Sequence, residues 1–107
     1  MIANELARYA SSLIERELSA EVIHAAKRCV IDTLAAIICG AVHPPATLMI
    51  EALDEELDHG NSQLVPSRRL APARTAALIN GAAAHAMEVD DIFRDAIYHP
   101  GPPVIPA

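Results

Sequence analysis

The amino-acid sequence predicts an all-α fold of about four helices, with residues 1–107 forming one domain at most. Apolar residues make up 52% of the chain, but aromatic residues make up only 3% and tryptophan is absent. The apolar residues are therefore mainly alanine, leucine, isoleucine and valine, which suit closely packed helices better than a β-sandwich. Apolar residues also recur at helical spacing in most segments.

The first helix is predicted from Ile2 to Arg16. Leu6, Tyr9 and Leu13 fall on one stripe at helical spacing, and the charged residues fall on the other side. This stripe is the face that we expect to be buried.

The second helix is predicted to follow Ser19, which suits an N-cap, and to end at Cys39. Gly40 stands where a left-handed C-terminal cap is favoured. The second half of the helix reads VIDTLAAIIC and is apolar nearly all round, so we expect other elements to enclose it.

Both cysteines of the chain lie on this second helix. Cys29 and Cys39 are separated by about 15 Å of helical rise, beyond the roughly 7 Å between Cα atoms that a disulfide spans. We expect them to be reduced thiols in the core of a cytoplasmic protein. Asp32, between them, is expected to be a partly buried residue that forms hydrogen bonds.

The third helix is predicted to begin in the segment from His43 to Ala46, where Pro45 suits a first-turn position, and to end at Gly60. Its buried stripe is expected to contain four apolar residues: Met49, Ile50, Leu53 and Leu57. An irregular segment follows, with at most a short extended piece from Gln63 to Val65. Arg68 and Arg69 in this segment are expected to be solvated, with anion binding as an alternative.

The fourth helix is predicted from about Pro72 to the acidic residues near position 90. Gly81 lies in its middle, where glycine costs about 1 kcal/mol relative to alanine. Gly81 therefore indicates a close crossing with another helix.

Several ionisable side chains follow in the last part of the chain. His85 and Glu88 are expected to share one helix face, about one turn apart. Asp90 and Asp91 follow where the helix is expected to end, and Arg94, Asp95 and His99 lie in the loop. Carboxylates and imidazoles gathered at a helix end can act as acid and base, although acidic residues there often only face solvent.

A metal site is the second interpretation of this region. Its ligands would be His85, Glu88, Asp91 and His99, which are acceptable ligand types. Because no known metal motif is present, we expect neither a metal nor a cofactor.

Composition excludes two other function classes. The net charge of −6, with a single lysine, argues against a nucleic-acid surface. The most apolar segment is shorter than the roughly 20 residues that span a bilayer. No secretory signal is evident, so we expect a cytoplasmic protein without nucleic-acid or membrane partners.

Three sequence blocks resemble the MmgE/PrpD family. They are NGAAAHAMEVDD, HPGPPVIPA and the earlier AKRCVIDTLAAIICG, and they occur in the family's order. The family contains 2-methylcitrate dehydratase, cis-aconitate decarboxylase and related epimerases. The resemblance implies an N-terminal helical domain of a metal-independent lyase that acts on a small polycarboxylate, with a 2-methylcitrate-like substrate favoured.

The resemblance also implies roles for individual residues. Glu88, Asp91 and His99 fall in the family's active-site region as catalytic residues, with His99 as the proton-transfer group. Arg94 and His85 are expected to contact the substrate. Ile92 stands where some members, including the decarboxylase type, have a threonine, which argues against a cis-aconitate decarboxylase.

Members of the family are several times longer, so residues 1–107 are expected to be an incomplete domain that is inactive alone. Exposed apolar surface should then lead to self-association or a homo-oligomer such as a dimer. The alternative is a non-catalytic helical remnant that acts as an assembly or binding module.

Overall fold

The computed structural model describes residues 1–107 and confirms the all-α prediction. Five α-helices account for most of the chain, and one small antiparallel sheet and a single 3-10 turn (Asp54–Glu56) complete it. The elements are α1 (Ile2–Ile14), α2 (Ala20–Gly40), α3 (Pro44–Ala52), β1 (Ser62–Gln63), β2 (Leu70–Ala71), α4 (Ala73–His85) and α5 (Gly101–Val104).

Helix α1 forms close to where it is predicted, but its apolar stripe is not buried. No residue of α1 is buried, and Leu6 and Tyr9 remain 63% and 59% exposed. The helix is amphipathic, yet no other element of the chain covers its apolar face.

Helix α2 begins as predicted, because Ser19 caps it by accepting a hydrogen bond from the backbone N–H of Val22. The predicted role of Gly40 is wrong. Gly40 is the last helical residue, and the cap residue Ala41 has right-handed backbone angles. A Cβ atom on Gly40 would lie 1.8 Å from the backbone oxygen of Ala83. The glycine is therefore needed for the close contact of α2 with α4.

Other elements do not enclose the second half of α2. One face packs against α4 and buries Thr33, Ala36, Ile37 and Gly40. The opposite face leaves Ile31 66% exposed.

Three further predictions for α2 are wrong for the same reason. Cys29 and Cys39 are free thiols on exposed positions, and Asp32 is also exposed. These residues lie off the single buried face.

Helix α3 is shorter than predicted, because the chain leaves the helix at Leu53 and does not continue to Gly60. The 3-10 turn and a left-handed residue, Asp58, intervene. The predicted burial is confirmed, since Leu57 is 3% exposed and the three preceding residues of the stripe pack on the same core. That core contains Leu57, Leu64, Ala71, Ala76 and Ile79.

The strand pair places the loop after α3 against α4. Ser62 pairs with Ala71 and Gln63 with Leu70, so the predicted extended piece is confirmed only at its first residue. The side chain of Asn80 on α4 links to this loop by accepting from the Val65 N–H and donating to the Gln63 carbonyl, both at 3.0 Å.

Arg69 is not a freely solvated charge as predicted. Its guanidinium lies 2.8 Å from Asp58 and 3.1 Å from Asp54, and these bonds tie the loop to the 3-10 turn. The hydrogen bond from Arg69 lowers the pKa of the Asp58 carboxyl below its ordinary value. Arg68 stays exposed, in a left-handed conformation.

Helix α4 starts after Pro72 as predicted but ends at His85, earlier than expected. The close approach predicted at Gly81 is present, with α5 as the partner. A Cβ atom on Gly81 would lie 3.0 Å from the backbone oxygen of Pro102.

No single helix is both long and apolar enough to cross a membrane. The pair Ala20–Gly40 and Pro44–Ala52, bent by 76°, meets the length and composition criteria only when taken together.

Candidate functional site

The loop between α4 and α5 carries a buried carboxylate that contacts two histidines. The Asp90 side chain has 0% exposure, and its Oδ2 atom lies 3.1 Å from Nδ1 of His85 and 3.0 Å from Nδ1 of His99. The two imidazole rings lie edge to face, with centroids 4.7 Å apart. These three residues are called the histidine–aspartate cluster below.

The two histidines contact Asp90 in different ways. Nδ1 of His85 is within hydrogen-bonding distance of both carboxylate oxygens, at 3.1 Å and 3.3 Å. Nδ1 of His99 is close to Oδ2 but is not aligned with it for a hydrogen bond. His85 is the more exposed ring, at 48% against 27% for His99.

Backbone geometry brings the cluster together. The chain turns after His85 through Glu88, whose φ is +50°. Phe93 and Tyr98 then close a short antiparallel bridge, in which the Phe93 N–H donates to the Tyr98 carbonyl at 2.7 Å. His99 follows this bridge directly, which returns its ring to the end of α4.

Asp91 has a structural contact and does not join the cluster. Its Oδ1 atom accepts a hydrogen bond from the Gly101 N–H at 2.9 Å, which fixes the start of α5. A Cβ atom on Gly101 would lie 2.3 Å from that oxygen and 2.7 Å from Oγ1 of Thr33. The contact of Asp91 with the chain therefore depends on glycine at position 101.

An apolar groove of about 680 Å³ borders the cluster. The groove is lined by the imidazoles of His85 and His99 and by Tyr98. The remaining lining residues are Met49, Ala77, Leu78, Gly81, Ala82, Ile97, Pro102, Pro103 and Ala107. A bound molecule in this groove would therefore lie next to both imidazoles.

A second, smaller cavity of about 350 Å³ borders Asp91. Arg28 and Asp32 of α2 line it together with Asp91. Arg28 and Asp91, a predicted catalytic residue, therefore border the same cavity.

The structure does not bring every predicted site residue together. Glu88 is exposed and lies beyond the end of α4, so the predicted helix face shared with His85 does not exist. Arg94 is 93% exposed, and its nearest carboxylate, that of Asp95, is 3.7 Å away. His85 and His99 are brought together, whereas Asp91 lies in the loop and contacts the start of α5.

Asp90 is the site residue that the sequence analysis did not select. It is one of two adjacent aspartates, and the sequence does not show which of them turns inward. Helical periodicity does not relate Asp90 to His85, because α4 ends at His85 and Asp90 lies five residues later in the loop.

The cluster also has the donor types of a transition-metal site. One ring nitrogen from each of His85 and His99 and one carboxylate oxygen of Asp90 all lie within 4.8 Å of one another. Imidazole and carboxylate are ligands that zinc accepts. The predicted set of four ligands is not assembled, because Glu88 and Asp91 are absent from this group.

These features define a helical domain in which two imidazoles and a buried carboxylate border an apolar groove. Residues 4–107 match the MmgE/PrpD N-terminal domain, so the chain belongs to the MmgE/PrpD family. The chain is also similar to the cis-aconitate decarboxylase-like protein oryM of Aspergillus oryzae, with 26% identity over 106 residues. That alignment covers 99% of this chain and 22% of the relative. No solved structure matches the chain.

Proposed function

We propose that residues 1–107 form the N-terminal helical part of a metal-independent lyase that dehydrates a small polycarboxylate resembling 2-methylcitrate. The observation that carries this proposal is the position of His99, which borders the groove and contacts a buried carboxylate. Membership of the MmgE/PrpD family supports the reaction class.

Dehydration requires two proton movements. A base removes a proton from the carbon next to a carboxylate, an acid protonates the departing hydroxyl group, and a carbon–carbon double bond forms as water leaves. An imidazole can accept and donate protons near neutral pH. His99 is the proposed proton-transfer group, and His85 is the second imidazole within reach of the same groove.

Decarboxylation is the alternative reaction, and the similarity to a cis-aconitate decarboxylase-like protein supports it. In that reaction a carbon–carbon bond breaks, carbon dioxide leaves, and an acid protonates the resulting carbanion. His99 could supply that proton from the same position. Ile92, which is 56% exposed, stands where the decarboxylase type is expected to have a threonine, and this difference argues against decarboxylation.

The charge of the site sets a requirement for either reaction. A polycarboxylate needs cations, and the chain as a whole carries a net charge of −6. Arg94 is exposed, and Arg28 borders the smaller cavity beside Asp91. These two arginines are separated from the groove, so we infer that basic groups outside residues 1–107 complete substrate binding.

An assay of the chain alone and of a mixture tests the proposal. The chain is incubated with 2-methylcitrate, citrate or cis-aconitate, alone and together with the C-terminal part of a longer family member. We expect no turnover alone, because an open groove neither excludes water nor holds acid, base and anion-binding groups in register. We expect turnover on mixing. Turnover by the chain alone would contradict the predicted inactivity, and no turnover with any substrate on mixing would contradict the proposed function.

Exposed apolar surface supports a second candidate function, an assembly module that associates with a second copy of the chain. Ile31, Leu34 and Ile38 form a stripe on α2 and are 66%, 38% and 53% exposed. Large exposed apolar patches are typical of interaction sites.

Sedimentation of variants tests this second candidate. We expect the chain to form dimers or larger species, and we expect Ile31→Glu with Ile38→Glu to shift it to monomer. Leu48→Glu is the matched control, because Leu48 is 60% exposed on α3. A wild-type chain that is strictly monomeric at high concentration would exclude the assembly function.

A further inference from the structure

The histidine–aspartate cluster contains a carboxylate that the sequence motifs do not assign to the active site. The Asp90 side chain is completely buried, whereas Glu88 and Asp95 are on exposed residues and Asp91 is only partly buried. Burial of an ionised carboxylate is costly unless donors or cations compensate for it. The two imidazoles are the ionisable groups within reach of Asp90, so they must provide that compensation.

The contacts determine which ring nitrogens are used. In both imidazoles Nδ1 lies close to Oδ2 of Asp90, at 3.1 Å for His85 and 3.0 Å for His99. A neutral imidazole has one N–H and one unprotonated nitrogen, and the hydrogen bond of one nitrogen fixes the state of the other. A proton on Nδ1 next to the carboxylate therefore leaves Nε2 as the unprotonated, basic nitrogen.

We infer that Asp90 is the positioning residue of this site: it holds Nδ1 of His85 and of His99 in the protonated state and leaves Nε2 of each ring as the proton-transfer atom. This inference rests on the proposed function only for its catalytic consequence. Because both rings border the groove, a neutral ring can accept the substrate proton at Nε2, and the other ring, when it carries a proton on both nitrogens, can donate one from Nε2. A single carboxylate then orients both partners of the reaction.

The geometry favours hydrogen bonds, and not a bound metal ion, between the two imidazoles and Asp90. Nδ1 of His85 lies within hydrogen-bonding distance of both Asp90 oxygens, at 3.1 Å and 3.3 Å. A shared N–H donor satisfies two acceptor atoms in this way. The inference for His99 relies on the 3.0 Å distance and requires the ring to rotate until its N–H is aligned with Asp90.

Nitrogen-15 NMR of the imidazoles tests the inference directly in the 107-residue chain. The spectra are recorded at a pH where the histidines are neutral, and they distinguish protonated from unprotonated ring nitrogens. We expect His85 and His99 to show protonated Nδ1 and unprotonated Nε2. His24, on an exposed position of α2, serves as the internal reference for a solvated imidazole. Protonated Nε2 in both cluster histidines would overturn the inference without any substitution.

Substitutions identify the carboxylate responsible. We expect Asp90→Ala to abolish the Nδ1-protonated signals of both rings and Asp90→Glu to restore at least that of His85. Asp95→Ala is the matched control, since Asp95 lies in the same loop with a side chain that is 76% exposed. Unchanged signals in a folded Asp90→Ala variant would overturn the inference. If that variant does not fold, the wild-type spectra alone decide.

The same spectra separate this inference from its alternatives. Stoichiometric zinc that broadens or shifts both cluster histidines but not His24, and that resists dialysis, would overturn it in favour of a metal site. Protonated Nδ1 atoms together with no turnover in the mixing assay would support the positioning role and contradict the proposed function. Turnover on mixing together with protonated Nε2 atoms would support the proposed function and contradict the positioning role of Asp90.

Discussion

The cluster around Asp90 and the cluster around Arg69 both join charged or ionisable groups, but they differ in burial. Arg69, Asp54 and Asp58 have side chains that are 36%, 69% and 62% exposed, whereas the Asp90 side chain has 0% exposure. Exposed ion pairs contribute little to stability because water and salt screen them. A buried carboxylate orients its partners strongly, since no solvent competes for its oxygens.

The two clusters also differ in what they could bind. The Arg69 cluster uses all its charges to fasten a loop to a 3-10 turn. The histidine–aspartate cluster leaves one nitrogen of each imidazole available next to an apolar groove. Charge pairing alone therefore does not mark a functional site, whereas a buried pair with atoms still available beside a cavity does.

The largest effect on stability is expected at the contact that supports the buried cluster. Gly40→Ala adds a Cβ atom 1.8 Å from the Ala83 backbone oxygen, two residues before His85. At a free helical position the same substitution stabilises by roughly 0.5–1 kcal/mol. Here we expect a loss of about 3 kcal/mol, because α2 and α4 must move apart. Urea denaturation measures the difference, and an increase in the free energy of unfolding would contradict the packing described.

A smaller loss is expected at the start of α5. Gly101→Ala places a Cβ atom 2.3 Å from Oδ1 of Asp91, so the carboxylate must move and its bond to the Gly101 N–H weakens. We expect the free energy of unfolding to fall by about 1–3 kcal/mol. The NMR signals of His99 should also shift, while those of the Arg69 side chain should not. A variant as stable as the wild type, with unchanged His99 signals, would show that Asp91 does not anchor this segment.

The smallest effect on stability is expected at the exposed cluster around Arg69. The pH dependence of this effect has a defined sign. Arg69 lowers the pKa of the Asp58 carboxyl in the folded chain from its ordinary value of 3.8. Because the pKa of Asp58 is lower in the folded chain, its ionised carboxyl stabilises the fold fully at pH values above the ordinary pKa. This stabilisation is lost as the pH falls through the lower pKa of the folded chain.

Thermal melting of Arg69→Ala as a function of pH tests this sign. The melting temperature should fall slightly relative to wild type near neutral pH, and the difference should shrink below about pH 4. High salt should also reduce it. A difference that grows on acidification would contradict the assignment. Arg68→Ala is the matched control, because Arg68 is exposed and forms none of these pairs.

Much of the fold was predictable because it depends on local signals. Ser19 caps α2 as its residue type indicates, and the proline pair at the start of α3 occupies the first turn. The burial of Leu57 was also predictable from the apolar stripe that it continues. The ends of α3 and α4 were not predictable, because each is set by tertiary contacts that override the helical pattern.

The candidate site was predictable only in part. The histidines are readily recognised as ionisable groups near a helix end, and the family motifs select His99. The choice of Asp90 over its neighbour Asp91 depends on how the chain turns through Glu88, whose left-handed conformation no local pattern indicates. The exposure of Cys29 was not predictable either, because the sequence of an apolar helix does not show how many of its faces pack against other elements.

The central claim is that His99, held against buried Asp90, transfers the proton in a family lyase. Turnover of a longer family member whose N-terminal domain is replaced by residues 1–107 tests it most directly. We expect His99→Ala to lower kcat by about 100-fold or more, as loss of a general acid or base does. Arg69→Ala, in the exposed cluster, should leave kcat within about twofold of the unsubstituted protein. Near-normal turnover of His99→Ala, in a protein that is active with His99, would contradict the claim.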